Sequence, residues 1–134
     1  MTELMERRRA LMGKQKTDDG NLVADPFTPV TQSWSNSTRI VVPLTETIEK
    51  GKKYRVILNG TVPEGNRFLV LLGASNNHIE YFPEGQDGEI ERTWTTATSG
   101  SATTANAYIY CRPVSGTATI TATVRNIKVY REGW

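Results

Sequence analysis

The sequence has one cysteine and one histidine, and these two scarcities remove most of the chemistry open to a chain of 134 residues. With Cys111 alone there is no intramolecular disulfide. Set between Tyr110 and Arg112 in a strand-like run, it reads as a buried structural thiol, the usual habit of free cysteine. A lone cysteine also fits synthesis in a reducing cytosol. With His78 alone, any Ser–His–Asp or Cys–His constellation has one residue to build on, and His78 lies in a turn entering a strand, where polar histidine is ordinary. The pair does not complete a four-ligand zinc site. A glycine-rich phosphate cradle is missing, since "NGTVPEGN" is turn chemistry. The carboxylates of "DGNLVAD" and "EGQDGE" lack EF-hand spacing, which leaves a structural calcium as an open question. Glu89 and Glu91 stand about 7 Å apart on one strand face. They are neighbours, whereas glycoside hydrolysis needs carboxylates set across a cleft. The expectation is a non-enzymatic protein with no catalytic residue, no cofactor and no metal ligand set.

Long apolar runs are missing too. No segment approaches the length of a membrane-spanning helix. The basic N-terminus is not followed by the apolar stretch of about 7–15 residues that a secretory signal carries. The expectation is assembly in the cytoplasm and departure by lysis or within a particle. Charge of one sign is scarce as well: the net is +2, and its distribution says more than its sum. Residues 1–16 hold five basic side chains against two acidic ones, and the rest holds eleven against twelve. A nucleic-acid binder carries a basic stripe with interleaved aromatics on its folded surface. A neutral body gives no sign of one, so nucleic acid is not an expected partner.

What is present begins with a short amphipathic segment, "MTELMERRRALMGKQ". Thr2 can cap a helix, Glu3 and Glu6 lie in its first turn and Lys14 near its last, the sense that the helix dipole favours. Leu4 and Leu11 are seven apart, as are Met5 and Met12, so they form one narrow stripe. Arg8 lies on the same side, with a stem able to cover apolar surface. About three turns of helix are marginal alone in water. The segment is therefore frayed, packed on its own chain, docked into a groove on a partner or bundled with copies of itself, or in contact with DNA through Arg7, Arg8 and Arg9; the docking reading is preferred. In that reading Leu4, Met5, Arg8, Leu11 and Met12 are the docking residues.

Residues 17–37 change to Gly, Asp, Pro, Ser, Thr and Asn, with Pro26 and Pro29 denying a helix. They read as a linker becoming an irregular edge strand, pinned by Val23, Phe27 and Trp34. Residues 38–134 read as the folded domain. Tyr54, Val56 and Leu58 alternate with Arg55, Ile57 and Asn59; "RFLVLLGAS" is nearly continuous apolar, as in a strand covered on both faces; Ile90, Arg92 and Trp94 alternate with Glu89, Glu91 and Thr93. In the last run Ala118, Ile120, Ala122 and Val124 share a face, while Ile127 and Val129 fall in the opposite phase. A period of two changes phase only through an extra residue, which predicts a bulge near Arg125-Asn126. About seven strands with regular turn signals predict an all-β fold: an antiparallel, two-sheet, jelly-roll-like β-sandwich with a short N-terminal α-helix.

The order "GKKYRVILNGTV", an apolar strand, then "ERTWTTATSGSATTANAYIYCRPVSGTATITATVRNIKVYRE" resembles the β-sandwich of jelly-roll carbohydrate-binding modules across about Arg39 to Glu132. The opening "ELMERRRALMGK" is similar to those of small structural proteins of phages that infect gut bacteria. Together the two resemblances imply a virion component: head decoration, neck, baseplate or tail. Other virion proteins would be its partners, and a homo-oligomer, with a trimer as one candidate, its state. The alternative is a receptor module for host surface glycans. Sugar sites on sandwiches combine exposed aromatics with hydrogen-bonding side chains, which makes Trp34, Tyr81, Phe82, Tyr108, Tyr110 and Trp134 the aromatic candidates. The patch "SNNHIEYF" is the first choice, with Asn76, Asn77, His78 and Tyr81 as candidate glycan-binding residues. Trp94, sharing a face with Ile90, reads as core. Tyr108 and Tyr110 flank Ile109, so either the pair or Ile109 faces inward.

Overall fold

Period-two burial decides the architecture. The computed structural model describes residues 20–73, 79–98 and 103–134. Among them are eight strands: β1 Val30–Trp34, β2 Arg39–Pro43, β3 Lys53–Thr61, β4 Asn66–Leu72, β5 Ile79–Tyr81, β6 Asp87–Thr95, β7 Asn106–Pro113 and β8 Ile120–Arg131. The docking residues Leu4, Met5, Arg8, Leu11 and Met12, with the N-terminal helix expected there, lie outside the described residues, as do Asn76, Asn77 and His78.

The strands form two four-stranded antiparallel sheets, ordered β1-β8-β3-β6 and β2-β7-β4-β5. That order is an eight-stranded jelly roll, in which the chain passes repeatedly between the two layers. The inward faces meet in one core. Tyr54, Val56 and Leu58 of β3 are fully buried while Arg55, Ile57 and Asn59 are half-exposed, as the alternation requires. Trp34, Phe68 and Phe82 are also buried. The Trp34 and Phe68 rings meet edge to face at 6.3 Å, and the Trp34 indole N–H donates to the Ala122 carbonyl at 3.2 Å. The indole therefore brings its large apolar area into the core without leaving its one donor unpaired.

Ahead of β1, the chain ties the two sheets together. The Asn21 side-chain carbonyl accepts from the Val23 and Val129 backbone N–H groups, both at 3.1 Å, and Leu22 N–H donates to the Val129 carbonyl at 2.7 Å. Val23 in turn forms a bridge with Leu44 beside β2. Val23 and Trp34 are buried and Phe27 packs against the core, so all three pin this segment as its composition suggests.

The phase slip in the last strand is real. β3 pairs with β8 from Tyr54↔Arg131 to Asn59↔Asn126, then resumes at Gly60↔Val124. Arg125 is the extra residue. Ala122 and Val124 before it, and Ile127 and Val129 after it, all reach the core. Arg125 is left outside, where it donates to the Asn59 side-chain oxygen at 3.2 Å and to the Thr61 hydroxyl. Ala118 departs from the expected inner face: it is exposed, because β8 starts only at Ile120.

Gly60 sits at the shift. A Cβ there would lie 2.6 Å from the Thr123 carbonyl oxygen and 3.0 Å from Phe68 Cε2. One contact is backbone and the other a packed ring, so neither can yield cheaply. Gly60→Ala is expected to lower stability by about 1–3 kcal/mol, the usual cost of overpacking. Urea unfolding should show this as a lower midpoint with an unchanged slope.

Candidate functional site

The parity of β7 builds the most distinctive surface of the described molecule. Ile109 and Cys111 are fully buried, so Tyr108, Tyr110 and Arg112 stand on the outer face of the β2-β7-β4-β5 sheet. This settles which of the two alternatives in "AYIYC" faces inward. Pairing then sets side chains beside them in rows. Arg39 of β2, Tyr110 of β7, Leu69 of β4 and Tyr81 of β5 are successive register partners. Val41, Tyr108, Leu71 and Ile79 form the next row, and Arg112 lies directly opposite Arg67. Leu69 and Leu71 are 2% and 7% exposed although they point away from the core. They are flanked on both sides by these register partners and make an apolar floor under the tyrosines. β4 is covered on both faces for this reason.

The tyrosines and arginines interlock. The Arg39 guanidinium carbon stands 4.7 Å from the Tyr108 ring centroid, Arg112 4.8 Å from Tyr110, and Arg67 4.2 Å from Tyr81. Arg39 also reaches the Tyr110 hydroxyl at 3.5 Å, and the Arg112 Nε–H donates to the Asn36 carbonyl at 3.1 Å. The Tyr108 hydroxyl lies 3.2 Å from the Thr104 hydroxyl and 3.5 Å from Asn106 Nδ2. Such stacks fix the guanidinium plane and leave its outer N–H groups free to donate. Among the described residues none of the three arginines forms an ion pair.

The outer face of the other sheet is built differently. Arg55 pairs with Glu91 at 3.5 Å and Glu132 at 3.1 Å, and Arg125 lies 3.9 Å from Asp87. Thr31 and Thr123, in register, share a hydroxyl hydrogen bond at 2.8 Å. Its two arginines are paired with carboxylates within the chain, and Arg55 also stands 4.4 Å from the Tyr130 ring centroid. Glu89 and Glu91 are exposed on this open face, with no cleft between them. At one open edge of the sandwich Arg92 lies 3.9 Å from Glu80 and 6.0 Å from the Phe82 ring centroid. A cleft of about 400 Å³ beside Gly20 and Tyr130 holds the bidentate Arg131–Glu46 pair, with contacts of 2.8 and 2.6 Å.

The candidate aromatics therefore scatter. Tyr81, Tyr108 and Tyr110 come together on one face. Trp34 and Phe82 are corrected to core residues, fully buried because both point between the sheets. Trp134 lies elsewhere, edge to face on Tyr54 at 5.3 Å and flanked by Lys52 and Arg131. Trp94 packs against the core as its alternation implies. Arg39, Arg67 and Arg112 were not anticipated. The neutral charge of the body concealed a basic, aromatic-interleaved face, and the reading that no such patch exists is corrected. The spacing Tyr108, Tyr110, Arg112 held a trace of it, since alternate residues of one strand share a face. Among the described residues no three His, Cys, Asp or Glu side chains cluster as metal ligands, and no helix is long and apolar enough to cross a membrane.

No protein-family model matches the chain, and no curated protein matches it. Among solved structures it is similar to a CBM4 module, with TM-score 0.46 and 12% identity over 88% of this chain and 99% of that one. It is also similar to the N-terminal cellulose-binding domain of Cellulomonas fimi β-1,4-glucanase C, with TM-score 0.44 and 13% identity over 85% of this chain and 84% of that one. No residue is carried across from either.

Beneath the face, burial pushes the Cys111 thiol up to about 12. Burial raises Tyr54 as well, chiefly by desolvation of its phenolate. Both folded groups hold their protons more tightly than the unfolded chain does. Their contribution to stability is present below the unfolded values and is lost as pH rises through the folded ones. For Cys111 that window opens near the reference 9.0 and closes near 12. The urea midpoint should fall between about pH 9 and 11, and Cys111→Ala should make that fall shallower, with Tyr54 supplying the remainder. A thiol reagent should leave the native protein unmodified at pH 8, and rapid modification there would contradict the burial.

Proposed function

We propose that this protein is a non-catalytic carbohydrate-binding domain whose ligand lies across the outer face of the β2-β7-β4-β5 sheet. One observation supports this reading above the rest. Tyr81, Tyr108 and Tyr110 are held outward over an apolar floor, beside arginines and Asn106 that can donate to hydroxyls. Sugar rings present both an apolar C–H face and a rim of hydroxyls, so a site for them needs an aromatic surface and fixed donors within the same few ångströms. Tyr110 and Tyr81 are two strands apart, about 10 Å at the usual strand spacing, which suits an oligosaccharide better than one ring. Among the described residues the strands of this face turn no carboxylate outward, Glu80 of β5 being the register partner of inward-facing Val70, so the face offers binding groups and no acid–base pair.

The reading rests on this face and not on the likeness to cellulose-binding or CBM4 domains. The virion role joins the resemblance of the opening segment to that of the sandwich; residues 1–16 lie outside the described residues, and no described residue adds to that role.

Tyr110→Ala and Tyr81→Ala should each weaken retention on a glycan array hit by about tenfold, the scale of one lost aromatic contact. Thr93→Ala, on the opposite face, should change nothing. Circular dichroism would confirm that the variants remain folded. Silence of the wild-type protein across a broad array, or equal binding by the tyrosine variants, would end the proposal.

A further inference from the structure

We infer that the ligand of this face is an acidic glycan, one bearing carboxylate or sulfate groups. The inference rests on the glycan-binding reading above and narrows it to a chemical class. Its basis is a charge arrangement that the fold leaves unresolved. Arg67 and Arg112 are cross-strand register partners, so two guanidinium groups start from backbone positions about 5 Å apart on the same face. Like charges set directly opposite destabilise a sheet. Arg39 adds a third positive charge one strand away, beside Tyr110.

None of these three has an acidic partner among the described residues, whereas Arg55, Arg92, Arg125 and Arg131 each do. The chain thus gives an acidic partner to its described arginines on the other surfaces, including Arg55, which also stacks on Tyr130 at 4.4 Å, and leaves unpaired only the three on this face. Each unmatched guanidinium is stacked on a ring at 4.2–4.8 Å, which orients the fork before a ligand arrives. A planar fork fits a carboxylate or sulfate through paired N–H···O bonds, which a neutral hydroxyl cannot reproduce.

Single-stranded nucleic acid is the competing polyanion, and the extent of the positive charge disfavours it. It needs an extended basic track that follows the backbone. Here the arginines without an acidic partner are confined to one sheet face, and the other four described arginines are paired with carboxylates.

The test is affinity electrophoresis of the full chain through gels containing polygalacturonate, the same polymer fully methyl-esterified, chondroitin, chondroitin sulfate, or neutral xylan, with poly(U) as a separate arm. At least one acidic polymer should retard the protein about tenfold more than its neutral counterpart, the scale of one hydrogen bond to a charged group. The chondroitin pair separates sulfate from carboxylate as the preferred anion. Retardation should fall with added salt and be lost in Arg67→Gln/Arg112→Gln. Arg67→Lys/Arg112→Lys should retain part of it, because charge survives and the fork does not. A thermal melt of each variant checks that the face remains folded. Equal binding to neutral polymers, untouched by the arginine variants but lost in Tyr110→Ala, would overturn the acidic ligand and leave the glycan reading standing. No retardation by any polysaccharide would overturn both, and tighter binding to poly(U) than to every glycan would replace them.

Discussion

Everything distinctive about this surface follows from one constraint on β7: Ile109 must go into the core. Its neighbours on the strand then have no choice. Cys111 follows it inward, and Tyr108, Tyr110 and Arg112 are turned out together. Burying Ile109 removes a large branched side chain from water, a gain of about 1.5–3 kcal/mol. Turning the two tyrosines inward instead would put two phenol hydroxyls into the apolar layer and each would need a partner there. The core choice and the surface composition are therefore a single decision, and a slip of one residue in β7 would reverse both.

The same parity rule explains why β8 needs its extra residue. Val124 and Ile127 are three apart, so a regular strand would send them to opposite faces. The bulge at Arg125 returns the second half to the core, and its most polar residue is the one expelled. The β3–β8 pair is the spine of its sheet, with β1 and β6 attached on either side. Losing phase there would expose Ile127 and Val129 and break the pairing that carries β6. Gly60 supports the device from β3, where the Thr123 carbonyl approaches too closely for a side chain.

Parity was legible in the sequence and adjacency was not. The alternation of Tyr54, Val56 and Leu58, the doubly covered β4 and the slip near Arg125 are all patterns within one strand, and each reads directly from the order of residues. The choice between Ile109 and its flanking tyrosines was left open, because apolar alternation works in either phase until the facing sheet is known. Arg39, Arg67 and Arg112 were hidden for another reason. They come from β2, β4 and β7, and only the order β2-β7-β4 brings them together. Net charge could not show them, since the carboxylates that balance the total lie on other surfaces.

That separation of charge is itself informative. A folded domain of nearly neutral sum can distribute its charges evenly, as the β1-β8-β3-β6 sheet does, at almost no electrostatic cost. Here the opposite sheet gathers three positive groups and sets two of them face to face. Stacking on tyrosine offsets part of that repulsion, by about 0.5–1 kcal/mol per exposed cation–π contact. It does not supply a counter-charge, and water and salt screen the remainder only partly over a few ångströms. An arrangement of this kind gives the domain no stability that leucine or threonine at the same positions would not provide. Its physical advantage is realised when an anion occupies the face, because the donors are already desolvated on one side and aimed. In the proposed glycan reading the tyrosines serve twice, as the surface a sugar ring covers and as the supports that hold the guanidinium planes.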